Sequence, residues 1–462
     1  VQDAAGVTVQ SRRYTYRADG CLTHVDDRLA GVRDFELDAI GRVTAVRGED
    51  WAERYAYDEA GNQTEAEWPA VHAGHEATGT RSYSGTRITR AGSIRYEHDD
   101  AGRITLRQKT RLSRKPDTWR YEWDTEDRLV SVTAPDGTKW RYLYDALGRR
   151  VAKLRLTADG VGVAERTEFT WDGAVLCEET TVGASLPRPV TLTWDHQGLH
   201  PIAQTERVGA DALTPEEIDS RFFAIVTDLV GTPTELLDAA GDVAWRTRAT
   251  VWGKTAWTAD GTAYTPLRFP GQYFDPETGL HHNYHRMYDP ESGRYLTPDP
   301  LGLAPAPNPS TYVHNPHTGT DPLGLAPRCE DTIPGFRKQT DHPLSKRIHI
   351  GEDGKVTITG KGALYVNLSG DVGHTVRFRG EGGQIVEFQI SAEFREKIRR
   401  TAVPQEEPGL GFSKAEWKQM KRICPEISDP TMGDDLYGIP SGMLNEFREE
   451  VAKYPGRIVQ EG

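Results

Sequence analysis

The chain has 462 residues, with 56 Lys+Arg against 69 Asp+Glu for a formal net charge of −13, and 37% of its residues are hydrophobic. That length exceeds one ordinary domain and suggests two to four units, and a mean hydropathy of −0.62 marks a polar chain still long enough to bury cores. It has no run of about 18 apolar residues, which excludes a membrane-spanning helix.

The first residues, Val-Gln-Asp-Ala-Ala-Gly, lack the basic and apolar regions of a signal peptide, and the absence of a starting Met leads us to expect a piece of a longer protein. Cys21, Cys177, Cys329 and Cys424 are far apart with no C-x-x-C spacing, so free thiols are expected rather than a disulfide framework or zinc knuckle. The 46 Gly and 28 Pro, together with 11 Trp and 18 Tyr, point to many short strands joined by turns. Charge divides the chain: residues 326–462 hold 20 Lys+Arg against 21 Asp+Glu, net −1, whereas the preceding part holds 36 against 48, net −12. An acidic body joined to a nearly neutral tail suggests different partners for the two parts.

The first part repeats. Aromatic-x-aromatic-Asp, two residues, then Gly-Arg or Gly-Asn occurs as Tyr55-Ala-Tyr57-Asp58 with Gly61-Asn62, as Tyr96-Glu-His98-Asp99 with Gly102-Arg103, and as Tyr142-Leu-Tyr144-Asp145 with Gly148-Arg149. Weaker copies are Phe35-Glu-Leu37-Asp38 with Gly41-Arg42 and Tyr121-Glu-Trp123-Asp124 with Asp127-Arg128. The aspartates 38, 58, 99, 124 and 145 are spaced by 20, 41, 25 and 21, and a worn copy near Tyr83 fills the long gap. A period near 20 fits one β-hairpin per repeat, with the aromatics on one strand face and an Asp-x-x-Gly turn. These residues resemble the YD repeats of Rhs proteins and insecticidal toxin-complex subunits. The resemblance implies a mainly β fold over residues 1–268, a hairpin spiral forming part of a cocoon-like shell, in which the aromatics and aspartates are architecture.

From Phe269 the chain reads Phe-Pro-Gly-Gln-Tyr-Phe-Asp-Pro-Glu-Thr-Gly-Leu, then Tyr-His-Arg-Met-Tyr-Asp-Pro-Glu-Ser-Gly-Arg-Tyr-Leu-Thr-Pro-Asp-Pro-Leu-Gly-Leu. This stretch, 269–325, resembles the Rhs-associated core. Two Asp-Pro-Leu-Gly-Leu copies start at Asp299 and Asp321. In such proteins the second copy closes the shell and precedes a variable C-terminal domain. The resemblance implies self-cleavage by a catalytic pair, Asp299 and Asp321, at the Leu325–Ala326 bond. The chemistry is consistent: of two carboxylates held together one keeps its proton and serves as acid, while the other activates water. The structural alternative is that Asp-Pro-x-Gly simply makes turns. Arg286 and Arg294 are close enough in sequence to orient a carboxylate, or are structural.

Residues 326–462 carry no repeat and form the expected effector, a small α+β domain. The segment from Arg337 to Gly360 starts loop-rich and basic, and strands are expected at Lys355–Thr359, Leu364–Ser369, His374–Arg379 and Gln384–Ile390. Helices are expected at Glu393–Thr401, at Ser413–Cys424 with Ser413 and Glu416 as a capping box, and at Ser441–Lys453. Alternation sends Leu364, Val366, Leu368, Val376, Phe378, Val386, Phe388 and Ile390 to the core. Tyr365, Asn367, Arg377, Arg379, Glu387 and Gln389 then face the other way, as a site for a phosphate-bearing ligand or as an ordinary solvated face with cross-strand ion pairs. His374 adjoins a turn, and His342 and His349 show no metal-ligand spacing, so no metal is expected.

Leu364-Tyr-Val-Asn, the Arg377/Arg379 stretch, Ile385-Val-Glu-Phe and Tyr437-Gly-Ile-Pro resemble the compact ADP-ribosyltransferase toxins found at Rhs termini. That resemblance implies NAD as substrate, with Glu387 as the catalytic carboxylate and Tyr365, Asn367, His374, Arg377, Arg379 and Gln389 as the NAD grip. It also implies a translation component as target. Two other readings stand beside it. One is a metal-independent ribonuclease with His374 or His349 as acid/base and Arg377, Arg379 or Lys346 on the phosphorane; the other is a non-enzymatic receptor-binding tip. The Rhs resemblance further implies interbacterial competition, with the protein made in the bacterial cytoplasm, secreted by a type VI or similar apparatus, acting in the target-cell cytosol, and met by a cognate immunity protein.

Overall fold

The computed structural model describes all residues except 2–5, 18–20, 71, 73, 185, 210–218, 258–260, 304, 326–327, 330–331, 341, 343–344, 352–353, 370–374, 376–382, 405–412, 428–435, 453, 455 and 461–462. The chain divides into two compact units, Val1–Arg328 and Cys329–Gly462. The mainly β class expected from the repeats is borne out in the first unit by a 22-stranded antiparallel sheet, from Arg12–Tyr16 to Thr255–Trp257, in which successive strands pair as hairpins.

The repeat motif builds each turn. Asp145 Oδ1 accepts from the N–H groups of Leu147 and Arg149 at 2.9 Å each, and its Oδ2 accepts from Arg149 Nε at 2.7 Å. Asp38, Asp99 and Asp124 hold Arg42, Arg103 and Arg128 in the same way, and Asn62 replaces arginine at Asp58. Gly102 and Gly148 sit at φ +86° and +80°, which favours glycine; in the weak copy Asp127 takes that place at +60°. The arginine also reaches the next turn, as Arg103 Nη1 donates to Asp124 O at 2.8 Å. The second aromatic stitches back: Tyr57 and Tyr144 hydroxyls donate to Val43 O and Leu129 O at 2.9 and 2.8 Å. The first aromatics, Phe35, Tyr55, Tyr96, Tyr121 and Tyr142, are buried in one core with Leu280, Met287 and Leu296.

Leu280 and Met287 belong to, and Leu296 directly follows, a smaller antiparallel sheet of strands Gln272–Asp275, Leu280–Asn283, Arg286–Asp289 and Arg294–Tyr295. Buried ion pairs fasten it to the repeats. Arg150 makes two bonds to Asp275, 2.6 and 3.1 Å; Lys153 lies 3.3 Å from both Asp275 and Glu277; and Lys109 and Lys254 reach Glu291 at 2.7 and 2.8 Å. Cations from the large sheet thus meet carboxylates of the smaller one, and each compensates the desolvation of the other.

The second unit holds a six-stranded antiparallel sheet in the order Glu426–Ile427, Leu436–Ile439, Leu364–Asn367, Thr332–Gln339, Gln384–Ser391, Arg457–Gln460. Leu364, Val366, Leu368, Val386, Phe388 and Ile390 pack with Phe394, Ile398, Leu444, Phe447 and Val451, so the core alternation is as expected at these positions. The helices are Ala392–Thr401, Lys414–Ile423 and Leu444–Val451, and the Ser413–Glu416 capping box is present. Two expectations need correction. Thr375, the one described residue of the expected strand His374–Arg379, is helical, because apolar alternation over six residues does not separate strand from helical turn. Moreover, Thr332–Gln339, part of which was read as loop, is a strand between Leu364–Asn367 and Gln384–Ser391. Among the described residues its Pro334 pairs toward Gln389, while the register with the other neighbour is Phe336 opposite Asn367, so the proline lies where the strand is still an edge. Among the described residues no helix is long and apolar enough to cross a membrane.

Candidate functional site

In the first unit, the hairpin Leu280–Asn283/Arg286–Asp289 places Asn283 and Arg286 at its tight end, where Tyr284 adopts φ +47°. Arg286 is buried and central. Its Nη2 lies 2.7 Å from Asp299 Oδ2 and 3.4 Å from Asp321 Oδ2, Nη1 donates to Pro309 O at 3.0 Å, and Nε donates to Gly324 O. The guanidinium carbon sits 3.6 Å above the Tyr295 ring. The two sequence-predicted aspartates are therefore brought together on one cation. Both occupy turns, Asp299 accepting from Leu301 N and Asp321 accepting through Oδ1 from Leu325 N, each at 2.8 Å.

Asp321 receives further donors. The Tyr295 hydroxyl donates to its Oδ2 at 2.8 Å, and Asn283 Nδ2 donates to Asp321 O at 2.8 Å and to the Tyr295 oxygen at 2.7 Å. Asp299 is the poorer in donors, and burial pushes its carboxyl up to about 6 against the pull of Arg286, with the charge of Asp321 adding to the rise. Burial and the neighbouring Arg286 hold the His285 imidazole below its ordinary range, and its backbone N–H donates to Leu323 O at 3.2 Å. Gly324 stands at φ +69°, and a Cβ there would meet Asn283 O at 2.6 Å, so the turn approaching the expected cut is gripped by backbone contacts. Leu325 is fixed by its N–H; Ala326 lies outside the described residues.

Such a pair can perform acid–base hydrolysis, with one carboxyl protonated and the other able to take a proton from water. If Asp299 must be protonated, self-cleavage is expected to fall about tenfold per pH unit above pH ~6. Conversion of the full-length chain timed across pH 4.5–8 checks this, and a rate that rises above pH ~6 would contradict it. Arg286 joins both carboxylates. Arg294 instead bonds Asn62, Thr86 O and Asn308, a structural place away from the pair. Tyr295 and Asn283 escaped the sequence reading, although Tyr295 stands in the very Gly-Arg-Tyr-Leu-Thr-Pro-Asp run that was read as diagnostic.

In the second unit Glu387 is buried; Arg457 Nε and Nη2 donate to its Oε2 at 3.1 and 3.0 Å, and Gln389 Nε2 donates to its Oε1 at 3.0 Å. Asn367 is also buried and donates to Thr375 Oγ1 at 2.8 Å, whereas Tyr365 is 45% exposed. Asn367 and Glu387 share a sheet face but lie two strands apart, with Phe336 paired to both. The side chains of His374, Arg377 and Arg379 lie outside the described residues. Among the described residues no group of three His, Cys, Asp or Glu side chains is placed to hold a metal ion.

The teneurin YD-shell family model matches residues 6–161 and 193–311. The chain belongs to that family, and its expected kinship with Rhs (YD-repeat) polymorphic toxins is borne out. A double-stranded DNA deaminase toxin A of Burkholderia cenocepacia is 34% identical over 336 residues, covering 68% of this chain and 22% of that protein. A probable deoxyribonuclease RhsB of Dickeya dadantii is 32% identical over 331 residues, 69% of this chain and 21% of that protein. The solved Tc holotoxin pore of Photorhabdus luminescens is 19% identical with a TM-score of 0.45, covering 71% of this chain and 19% of that one. The chain thus spans about a fifth of the length of these curated relatives.

Proposed function

We propose that the chain is part of a secreted toxin of interbacterial competition, whose first unit cuts the Leu325–Ala326 bond with Asp299 and Asp321 and so frees residues 326–462 as the effector. The observation that carries this reading is the pair of buried aspartates on Arg286, one of them bonded to the N–H of the residue before the cut. In this reading residues 1–268 are the shell, 269–325 the closing core and 326–462 the toxin. A secretion apparatus, a cognate immunity protein and a target in the recipient's cytosol complete it. The relatives' names, a deaminase and a deoxyribonuclease, differ from each other across comparable matches, so the shared shell leaves the effector's reaction to the second unit.

For that unit we propose ADP-ribosyl transfer from NAD to a translation component, with Glu387 as the carboxylate that stabilises the ribosyl cation. Its support is the buried Glu387, oriented by Arg457 and Gln389 on the sheet face that also carries Asn367 and Tyr365. The full chain and its Glu387→Ala variant, expressed in bacteria under tight control, test it when the extracts are given labelled NAD. Growth arrest with label on a macromolecule, both lost in the variant, is expected. Arrest without label, accompanied by degraded RNA, would replace the transferase by a ribonuclease.

A further inference from the structure

The dyad of the first unit is asymmetric in its surroundings. Among the described residues, Asp321 accepts on its carboxylate from the Tyr295 hydroxyl at 2.8 Å and Arg286 at 3.4 Å on Oδ2, and from the Leu325 N–H at 2.8 Å on Oδ1. Asp299 accepts from Arg286 at 2.7 Å and the Leu301 N–H at 2.8 Å. Each donor favours the charged form of the carboxylate it touches. The groups facing the pair are Arg286, Tyr295 and His285 from the small sheet, Tyr312, whose hydroxyl accepts from the Asp321 N–H, and each aspartate facing the other. Arg286 serves both carboxylates. What separates them is the Asn283–Tyr295 arm, which reaches Asp321 alone.

We propose that Tyr295, backed by Asn283, is a positioning residue that fixes the division of labour in the dyad, holding Asp321 as the ionised base and leaving Asp299 as the proton-bearing acid. This rests on the reading that the two aspartates cut Leu325–Ala326. The base sits beside the bond. Its Oδ1 accepts from the Leu325 N–H at 2.8 Å, which puts the base against the residue whose carbonyl carbon the water attacks. In the step, Asp321 takes a proton from water as the water oxygen bonds to the Leu325 carbonyl carbon. The C–N bond then breaks, and Asp299 passes its proton to the Ala326 nitrogen. Water supplies both the new carboxyl oxygen and, after Asp321 returns its proton to the pair, the proton that Asp299 gave up. The raised affinity of Asp299 for its proton is consistent with this role.

Tyr295 has a second duty as the ring beneath Arg286, and Tyr295→Phe keeps it. The variant therefore removes one donor from Asp321 and leaves the cation seated. The full chain is made in a cell-free system, shifted to buffers from pH 3.5 to 8, and the loss of full-length protein is timed for the wild type, Tyr295→Phe, Asn283→Ala and Asp321→Asn. With Tyr295→Phe the pH on the acid side at which cleavage dies away is expected to move upward by about one unit, and the best rate to fall about tenfold. Asn283→Ala, which leaves the tyrosine hydroxyl without its own donor, is expected to move it the same way by less. A uniform slowing by either variant at all pH values, with the profile unmoved, would overturn the positioning role while leaving the dyad in place. Normal cutting by Asp321→Asn, or no cutting by the wild type, would remove the underlying reading and the proposal with it. Should Tyr295→Phe fail to fold, as judged by circular dichroism, the Asn283→Ala profile decides alone.

Discussion

Replacing Asp321 by Asn is expected to leave the chain whole, with self-cleavage slowed at least about a thousandfold, within the combined reach of a lost base and a lost charge. The substitution conserves size. It replaces an acceptor that receives the Tyr295 hydroxyl, the Leu325 N–H and Arg286 with an amide that has one acceptor oxygen and an NH2 group facing donors. The fold should survive, because Asn283 holds the Asp321 backbone oxygen and the Asp321–Gly324 turn is closed by its own backbone bond. Electrophoresis of freshly made protein separates the 51.5 kDa chain from its fragments. Rapid cutting of the variant would show that the pair on Arg286 is only architecture, and that the Asp-Pro-x-Gly runs are turns after all.

The second large effect concerns the hairpin that carries the site. Arg150 and Asp275 are both buried and doubly bonded, and the guanidinium also lies over the Tyr142, Phe169 and Tyr273 rings at 5.3, 4.8 and 5.2 Å. Arg150→Ala leaves Asp275, among the described cations, with Lys153 at 3.3 Å, and is expected to destabilise the first unit by about 3–5 kcal/mol. The partner charge stays buried, so the cost exceeds what the pair contributes over an apolar substitute; the double change Arg150→Met with Asp275→Leu should recover most of it. Urea unfolding followed by tryptophan fluorescence reads this unit almost selectively, since ten of the 11 Trp residues precede residue 329. A loss below about 1 kcal/mol would mean that the large sheet holds the small one by its apolar core and not by these charges. Because Gln272–Asp275 pairs with Leu280–Asn283, the same variant should also loosen Asn283 and slow cutting.

What the sequence made legible follows from how local each feature is. The repeat turns were readable because Asp, Gly and Arg act within five residues of one another, and Asp145 to Arg149 bears this out bond by bond. The capping box at Ser413 and Glu416 is equally local. The pairing of Asp299 with Asp321 came from a duplicated motif; of the two arginines the sequence offered for orienting them, only the fold selects Arg286, which is strand-borne and reaches both turns across the site. Tyr295 and Asn283 carried no signal apart from their motif, because a tyrosine and an asparagine in a hairpin are common architecture. In the second unit the Thr332–Gln339 strand was hidden by Pro334 and Gly335, and its pairing with Gln384–Ser391 spans some fifty residues of chain. Arg457, which holds Glu387, was not seen at all, because it comes from the far end of the chain.

The central claim is tested most directly by intact-mass measurement and N-terminal sequencing of the wild-type chain after incubation below pH ~6, where Asp299 keeps its proton. Two fragments are expected, the second beginning at Ala326. A chain that stays whole, or a second fragment that begins elsewhere, would contradict it.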